Sequence, residues 1–156
     1  MRVAGSVALC AALLTATAAL PDSLTYHNDR FGTEVTFPAG VFSRAEPAPD
    51  NGDGMTWKAG DGASLAVFGS LNVDALSPAD YLDQQIGWLA KGTDVAYRRA
   101  GKDWAVVSGT QGETVFYQRF AFGADAVHSV LLRYPVSGKA EYDPLAGPIA
   151  GSLRGP

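Results

Sequence analysis

Cysteine is almost absent from this chain, and so are the motifs that usually identify an enzyme. The 156 residues include one cysteine and two histidines. The cysteine, Cys10, lies in an apolar N-terminal stretch, so the remainder has no thiol for a disulfide, a metal site or nucleophilic catalysis. A Gly-x-Ser-x-Gly elbow, a glycine-rich phosphate loop and a His-Glu-x-x-His motif are also missing. Stability is therefore expected to come from packing, and no known catalytic constellation is indicated.

Positive charge is scarce as well. Twelve Lys and Arg stand against sixteen Asp and Glu, which gives a formal net charge of −4, and there is no basic run. This balance argues against binding of a phosphate backbone, so no nucleic-acid partner is expected. After the N-terminal stretch no window of eighteen apolar residues follows, and stable membrane insertion is not expected.

The first residues have the pattern of a secretory signal peptide. Arg2 supplies a positive charge, residues 3–14 are almost uninterruptedly apolar, and Ala16-Thr17-Ala18 places small residues where signal peptidase requires them. We expect a signal peptide over residues 1–18 and a single domain over residues 19–156. The predicted location is the periplasm or the exterior of the cell.

Two other interpretations of this N-terminus are weaker. A membrane anchor is disfavoured because the apolar run is too short to cross a hydrocarbon core of about 30 Å. A lipid on Cys10 is disfavoured because Leu9 stands where a lipobox requires a small residue.

Alternation of apolar and polar residues predicts an antiparallel sheet. Short strands are expected at 35–37, 55–58 and 63–68, and Gly60-Asp61-Gly62 is a hairpin turn signal between the last two. A meander of four longer strands follows, separated by three three-residue loops that each contain glycine. These four strands are predicted at 95–100, 104–110, 114–122 and 126–134.

Two helices complete the predicted elements. Ser77-Pro78 has the residues of a helix start, Lys91-Gly92 marks the expected end, and the apolar stripe between them is Leu82, Ile86 and Leu89. A terminal helix is expected to begin at Asp143-Pro144, with a stripe formed by Leu145, Ile149 and Leu153.

The order of strands, helix, four-stranded meander and helix resembles the PsbP-like fold, which the extrinsic photosystem II subunits and the Ran-binding Mog proteins share. The resemblance rests on the segment 26–38, the 60–62 hairpin, Ser77-Pro78 and Asp143-Pro144. The chain is also similar to small secreted bacterial domains without an assigned activity. The resemblance implies an α+β fold, an α/β/α sandwich in which an antiparallel sheet packs with two main helices. It implies no functional residue, because no motif of the photosynthetic or Ran-binding members maps onto this sequence.

Counting through the three-residue loops assigns the meander residues to two faces. The predicted core face carries Trp104, Val106, Phe116, Phe120, Phe122, Val130, Leu132 and Tyr134. The other face is amphipathic and holds the candidate ligand-binding residues Tyr97, Arg99, Tyr117, Arg119 and Arg133. One interpretation is that these arginines lie over tyrosine rings and pair with acids of the helices. The other is a shallow platform for an anionic or aromatic ligand, in which arginine supplies planar donors and tyrosine a stacking surface.

The remaining polar candidates have ordinary structural explanations. His27 is expected in a solvated loop, and His128 at the edge of the core. A calcium site needs about six oxygen ligands, whereas the acids here alternate with glycine in turn-like sequence. Turn residues are therefore the interpretation of Asp50, Asn51, Asp53 and Asp61. No metal and no cofactor is predicted.

The function most consistent with the sequence is a non-catalytic binding or assembly module. Its expected partner is an envelope protein or a small anionic or aromatic ligand. The alternatives are a purely structural envelope protein and an extracytoplasmic hydrolase whose site joins residues distant in sequence, for instance His128 with a loop acid. A deep pocket with converging polar groups favours the enzyme, and a flat surface of arginine and tyrosine favours the binding module.

Overall fold

The computed structural model describes residues 22–156. The predicted signal peptide, residues 1–18, lies outside the described residues. Within them, a hairpin is followed by a larger sheet and two helices. The hairpin consists of β1 (Ser23–His27) and β2 (Glu34–Pro38). The larger sheet contains β3 (Arg44–Ala45), β4 (Gly54–Lys58), β5 (Ser64–Leu71), β6 (Thr93–Ala100), β7 (Trp104–Gln111), β8 (Thr114–Phe122) and β9 (Ala126–Pro135). The helices are α1 (Pro78–Gly87) and α2 (Lys139–Gly151).

The larger sheet is antiparallel and has the strand order β3-β4-β5-β9-β8-β7-β6. Pairing of β5 with β9 joins the N-terminal strands to the end of the meander. The α+β class, the four-stranded meander and the two main helices are thereby confirmed. The strands β1 and β3 were not predicted, because both are largely exposed and lack an alternating apolar pattern.

Each face of the sheet is covered over about half of its width. On one side α1 packs against β6 and β7, around a core of Tyr81, Leu82, Ala105, Val107, Phe116, Phe120 and Val127. On the other side α2 and β2 cover the half of the sheet that includes β5 and β9. Residues buried there include Phe37, Trp57, Leu65, Val67, Leu132, Tyr142 and Ile149. We call these the α1 side and the α2 side.

Helix α1 begins as predicted but ends early. The Ser77 hydroxyl accepts a hydrogen bond from the Asp80 N–H at 3.2 Å, and Pro78 occupies the first turn. The last helical residue is Gly87, whereas Lys91-Gly92 was the expected end. Leu82 is buried, whereas Ile86, in the last turn of the helix, and Leu89, beyond its end, are half-buried.

Helix α2 starts earlier than predicted, at Lys139, and contains Pro144 and Pro148. The two prolines are four residues apart and exposed, so the carbonyls that lose a helical hydrogen bond lie on the solvent side. The opposite stripe is buried, and its Tyr142 hydroxyl donates to Asp61 Oδ1 at 2.9 Å. This bond attaches α2 to the β4–β5 hairpin. No helix within residues 22–156 combines the length and the apolar character that crossing a bilayer requires.

The three hairpins of the meander close on two residues, where we expected three. Gly101 and Gly123, which the sequence placed in loops, belong to the closing pairs. Their N–H groups donate to the carbonyls of Trp104 at 2.8 Å and Ala126 at 2.9 Å. The middle hairpin has the same offset. The register therefore differs from the predicted one by one residue at every hairpin.

Close packing explains two of these glycines. A Cβ on Gly101 would lie 2.2 Å from Nε1 of Trp104, and a Cβ on Gly123 would lie 2.0 Å from the Pro156 carbonyl oxygen. Glycine is thus needed for the approach of another group. In the middle turn Gly112 has a φ of 57°, where glycine is favoured for its backbone conformation.

The offset divides the predicted core face between the two sides of the sheet, because a slip of one residue reverses the direction of every side chain relative to its neighbours. Phe116, Phe120 and Phe122 lie on the α1 side. The other five lie on the α2 side, namely Trp104, Val106, Val130, Leu132 and Tyr134. The assignment of these eight residues to one face was wrong, since each side contributes half of a core.

Candidate functional site: a cationic and aromatic sheet face

Four of the five predicted site residues remain together despite the offset. Strand β7 is shifted by one residue relative to both of its neighbours, so the alignment of β6 with β8 across it is preserved. Arg99 and Arg119 lie in one cross-strand row, and Tyr97 and Tyr117 lie in the next. The indole of Trp104 joins them on the α2 side. We call these five residues the arginine face.

Arg133 does not belong to this group. It pairs with Phe116 and Ser64, which places it on the α1 side. There it is exposed, with Nη1 3.5 Å from Oε1 of Gln111. The third hairpin shifts β9 by one residue relative to β8. No second shift restores the predicted alignment, so the Arg133 side chain lies on the opposite side of the sheet. Our placement of Arg133 on the arginine face was therefore wrong.

Trp104 lies under both arginines. The guanidinium carbon of Arg119 is 5.0 Å from the ring centroid, and that of Arg99 is 5.9 Å from it. Both distances are in the range of cation–π attraction, which extends to about 6 Å. The sequence predicted arginines over tyrosine rings and missed Trp104, because the incorrect register put the indole on the opposite face. The stacked ring restricts the positions that the two guanidinium groups can take.

The arginine stems also cover apolar surface. Val106 lies between Arg99 and Arg119 in their row and is 3% exposed. Long basic side chains commonly bury their methylene groups while the charged end stays in water. The two arginines therefore have a packing role through their stems, and their charged ends remain available.

Among residues 22–156 the guanidinium groups of the arginine face have no acidic partner. Within residues 22–156 no carboxylate lies within 4.0 Å of Arg99 or Arg119, and residues 1–21 contain no Asp or Glu. Nε of Arg119 is removed from solvent and has no hydrogen-bond partner in the described residues. By contrast Arg98, which points to the α1 side, pairs with Asp83 of α1. The interpretation in which helix acids neutralise Arg99 and Arg119 is therefore wrong.

The two tyrosines provide aromatic surface beside the arginines. Tyr97 is 47% exposed and Tyr117 is half-buried. Burial raises the pKa of Tyr117, the neighbouring Arg119 opposes this shift, and Tyr97 adds to it. The Tyr117 phenol is consequently neutral at neutral pH and able to donate a hydrogen bond.

A small cleft lies next to the arginine face, between β8 and α2. It has a volume of about 270 Å³ and is lined by Ser108, Tyr117, Tyr134, Lys139 and Asp143, among others. The Tyr134 hydroxyl donates to Asp143 Oδ1 at 2.8 Å, and Nζ of Lys139 is 3.3 Å from Asp143 Oδ2. Charges in the cleft are thus satisfied by each other, unlike those of the arginine face.

Neither histidine is placed as a catalytic base beside an acid in a pocket. His128 is 1% exposed, and its Nδ1 lies 2.8 Å from the Thr33 hydroxyl. Burial lowers the pKa of His128, an effect that the backbone of Pro156 partly offsets. His27 lies on β1 rather than in a loop, with Nδ1 3.6 Å from a Glu34 carboxylate oxygen. Within residues 22–156 the side-chain partner of His128 is Thr33, and no carboxylate lies within 4.0 Å of its ring nitrogens.

The acids that alternate with glycine act as turn residues. Asp61 accepts a hydrogen bond from the Ala63 N–H at 3.0 Å, which is the main reason that its pKa is lowered. Asn51 donates to Asp53 at 2.8 Å. Among residues 22–156 there is no group of three or more His, Cys, Asp or Glu that is placed to hold a metal ion.

Comparison with known proteins places the fold. No protein-family model matches the chain, and no curated protein matches it. The chain is similar to the solution structure of cyanobacterial PsbP (CyanoP) from Synechocystis sp. PCC 6803, with a TM-score of 0.61, 13% identity, and coverage of 97% of this chain and 100% of that chain. At this identity the similarity concerns the fold alone. The chain has a PsbP-like fold, as the order of its sequence elements predicted.

Proposed function

We propose that the protein is a non-catalytic binding or assembly module of the periplasm or the cell exterior, and that it binds an anionic partner through the arginine face. One observation carries the proposal. Arg99 and Arg119 are both held over the Trp104 ring, and no carboxylate lies within 4.0 Å of either guanidinium in residues 22–156. The location rests on the predicted signal peptide.

Electrostatics support an anionic partner. The two arginines are two strand spacings apart, about 9.5 Å at the backbone. Both guanidinium groups lie within 6 Å of the one Trp104 centroid, so their charges are at most about 11 Å apart and repel by roughly 1.5 kcal/mol or more at an effective dielectric constant of 20. An anion between them removes this repulsion and meets planar donors that bind carboxylate or phosphate in a bidentate manner. Because the indole already restricts both side chains, less conformational entropy is lost on binding.

The test uses residues 19–156 and two polyanions of different chemistry, polyglutamate and dextran sulfate. Arg99→Gln/Arg119→Gln removes two charges from the arginine face. Arg44→Gln/Arg133→Gln is the matched control, since it removes two charges from exposed positions elsewhere. We expect calorimetric titration to show at least tenfold weaker binding for the first variant and a change under about twofold for the second. Equal affinity of wild type and the Arg99→Gln/Arg119→Gln variant for both polyanions would contradict the proposal.

A further inference from the structure

A cleft with a volume of about 300 Å³ lies on the α1 side, between helix α1 and the loop that follows β5. One wall is a face of the helix, where lining residues recur at helical spacing, namely Tyr81, Gln84, Gln85 and Trp88. The other wall is formed by the end of β5 and by the loop, and it includes Leu71, Val73 and Asp74. We call this the Trp88 cleft. Its volume is at the lower end of the range for ligand pockets, so it suits a small ligand or one unit of a larger one.

Hydrogen bonds hold the loop wall in one conformation. The Asn72 side chain accepts a hydrogen bond from the Leu76 N–H at 3.1 Å and donates one to the Leu76 carbonyl at 3.0 Å. The Asn72 N–H donates to the Asp125 carbonyl at 3.0 Å, which attaches the loop to the β8–β9 hairpin. Ala75 has a φ of 48°, a conformation that residues other than glycine seldom adopt and that surrounding contacts must impose. The wall is therefore already ordered before a ligand binds, which lowers the entropy lost on binding.

Large exposed apolar side chains are concentrated around this cleft. Leu71, Val73 and Trp88 are 57%, 81% and 70% exposed, and they are three of the five large apolar side chains that are exposed among residues 22–156. Single exposed apolar residues are ordinary, whereas a group of them around one cleft marks an interaction site. The Trp88 indole thus offers an open aromatic surface to a ligand.

The charge of the lining disfavours two classes of ligand. Among residues 22–156 no Lys, Arg or His lines the cleft, and its one carboxylate belongs to Asp74. An anionic ligand would be repelled by that carboxylate, and no cation of the lining would compensate. A purely apolar ligand would cover the half-buried amides of Gln84 and Gln85 without offering them a hydrogen bond, which is unfavourable.

The polar groups of the lining match the hydroxyl groups of a sugar. Within residues 22–156 the amides of Gln84 and Gln85 are not hydrogen-bonded to other residues, and Oγ of Ser70 lies 3.5 Å from the Tyr81 hydroxyl. Amides and hydroxyls both donate and accept, as sugar hydroxyls do. The C–H groups on one face of a sugar ring carry a partial positive charge that suits the negative face of an indole. A quaternary ammonium also suits an indole, but it offers no hydrogen bond to the two amides.

We propose that the Trp88 cleft binds one ring of a neutral saccharide. The ring stacks on Trp88, its hydroxyls exchange hydrogen bonds with Gln84 and Gln85, and the Asp74 carboxylate accepts a further hydroxyl. This site lies on the opposite side of the sheet from the arginine face and shares no residue with it. The inference is therefore independent of the proposed anionic partner.

The test titrates residues 19–156 with three neutral oligosaccharides that differ in linkage or substituents, cellotetraose, chitotetraose and maltotetraose. Calorimetry measures binding, and tryptophan emission reports on the exposed Trp88 indole. Trp88→Ala removes the stacking surface, and Gln84→Met/Gln85→Met removes the amides at nearly constant size. Leu24→Ala is the matched control, since Leu24 is exposed on β1, outside the cleft. Tetramethylammonium chloride and 1-hexanol are the cationic and the apolar probe, and thermal melts show whether each variant is folded.

We expect at least one oligosaccharide to bind saturably, with a blue shift of the emission that Trp88→Ala abolishes. Each of the two cleft variants is expected to bind at least about tenfold more weakly, and Leu24→Ala to change affinity by less than about twofold. Absence of binding by all three oligosaccharides at concentrations up to about 10 mM overturns the inference. So does saccharide binding that survives in both folded cleft variants, or binding of tetramethylammonium or hexanol when no oligosaccharide binds. In each of these cases polyanion binding by the arginine face remains a separate question with its own variants.

Discussion

Two half-faces of the same sheet remain partly open, and they differ in how their charges are satisfied. The arginine face on the α2 side has two guanidinium groups with no carboxylate within 4.0 Å in the described part of the chain. The other, which we call the β4–β5 face, lies on the α1 side, and its floor is Thr56, Ala66, Phe68 and Leu131. There Glu46 lies 3.8 Å from Arg44 and 3.5 Å from Lys58. Both surfaces carry two cationic side chains. They differ because those of the β4–β5 face have the Glu46 carboxylate beside them.

The connecting loops account for the difference. Residues 46–53 and the β4–β5 face together line a cavity of about 400 Å³, so a long loop brings both cover and an acid to that face. The meander hairpins next to the arginine face close on two residues each. Such short turns have no length with which to cover the sheet. The arginine face is open because of its tight hairpins.

The largest expected effect concerns neighbours on opposite sides of β8. Phe120 is 1% exposed and its ring packs against Tyr81, with a centroid distance of 5.3 Å. We expect Phe120→Ala to cost about 3–5 kcal/mol of unfolding free energy. Arg119→Gln is expected to cost about 1 kcal/mol or less, the range of one cation–π contact near the surface. Urea unfolding of both variants checks this. A loss above about 3 kcal/mol for Arg119→Gln would show that the arginine holds the fold together.

A smaller effect is expected from the glycine that accommodates Trp104. Gly101→Ala places a Cβ 2.2 Å from the indole Nε1, so the ring must move. We expect a cost of about 1–3 kcal/mol together with weaker polyglutamate binding. Gly60→Ala is the control, because no atom lies within 4 Å of its added Cβ, and it is expected to change stability by about 0.5 kcal/mol or less. Unchanged binding by Gly101→Ala would exclude a role for the indole position.

The third prediction concerns how stability depends on pH, and it rests on His128, which is buried on the α2 side. His128 shares a row with Ala121 and Trp104, and its ring lies beneath Gly155. Burial lowers the pKa of His128 in the folded chain. As the pH falls, the His128 imidazole of the unfolded chain therefore takes up a proton first, near pH 6.5, while that of the folded chain stays neutral. Stability is therefore expected to be full above about pH 6.5 and to decline as the pH falls below that value.

Thermal melts of wild type and His128→Phe between about pH 5 and 8 measure this decline. The variant has no group at this position to titrate, so its melting temperature is expected to fall less over the same range. A parallel decline in both proteins would assign the pH dependence to other groups.

The smallest effect is expected on the β4–β5 face. Glu46→Gln leaves Arg44 and Lys58 without their carboxylate. Exposed ion pairs contribute little, so we expect a stability change of about 1 kcal/mol or less. Polyglutamate titration of Glu46→Gln in the Arg99→Gln/Arg119→Gln background, which lacks the two charges of the arginine face, shows whether unpaired cations alone make a binding surface. Since no indole lies under the cations of this face within residues 22–156, we expect its affinity to remain below that of the arginine face; equal affinity would remove the role we assign to Trp104.

The sequence predicted the elements better than their pairing. Turn residues and the Ser77 cap are local signals, and they located the hairpins and the start of α1. The register depended on Gly101 and Gly123, whose neighbours Trp104 and Pro156 press against them. Gly123 meets the end of the chain, a contact that no local pattern reveals. The candidate site survived because the two offsets around β7 cancel, and Arg133 was misplaced because the third offset does not.

The most direct measurement of the central claim is an amide chemical-shift titration of the 15N-labelled protein with polyglutamate. We predict that the largest shifts fall on residues 97–99, 104–108 and 117–119, together with the Trp104 indole N–H. The β4–β5 face, residues 54–58 and 64–68, is predicted to change little. Shifts concentrated on the β4–β5 face, or spread evenly over both, would contradict the assignment of binding to the arginine face.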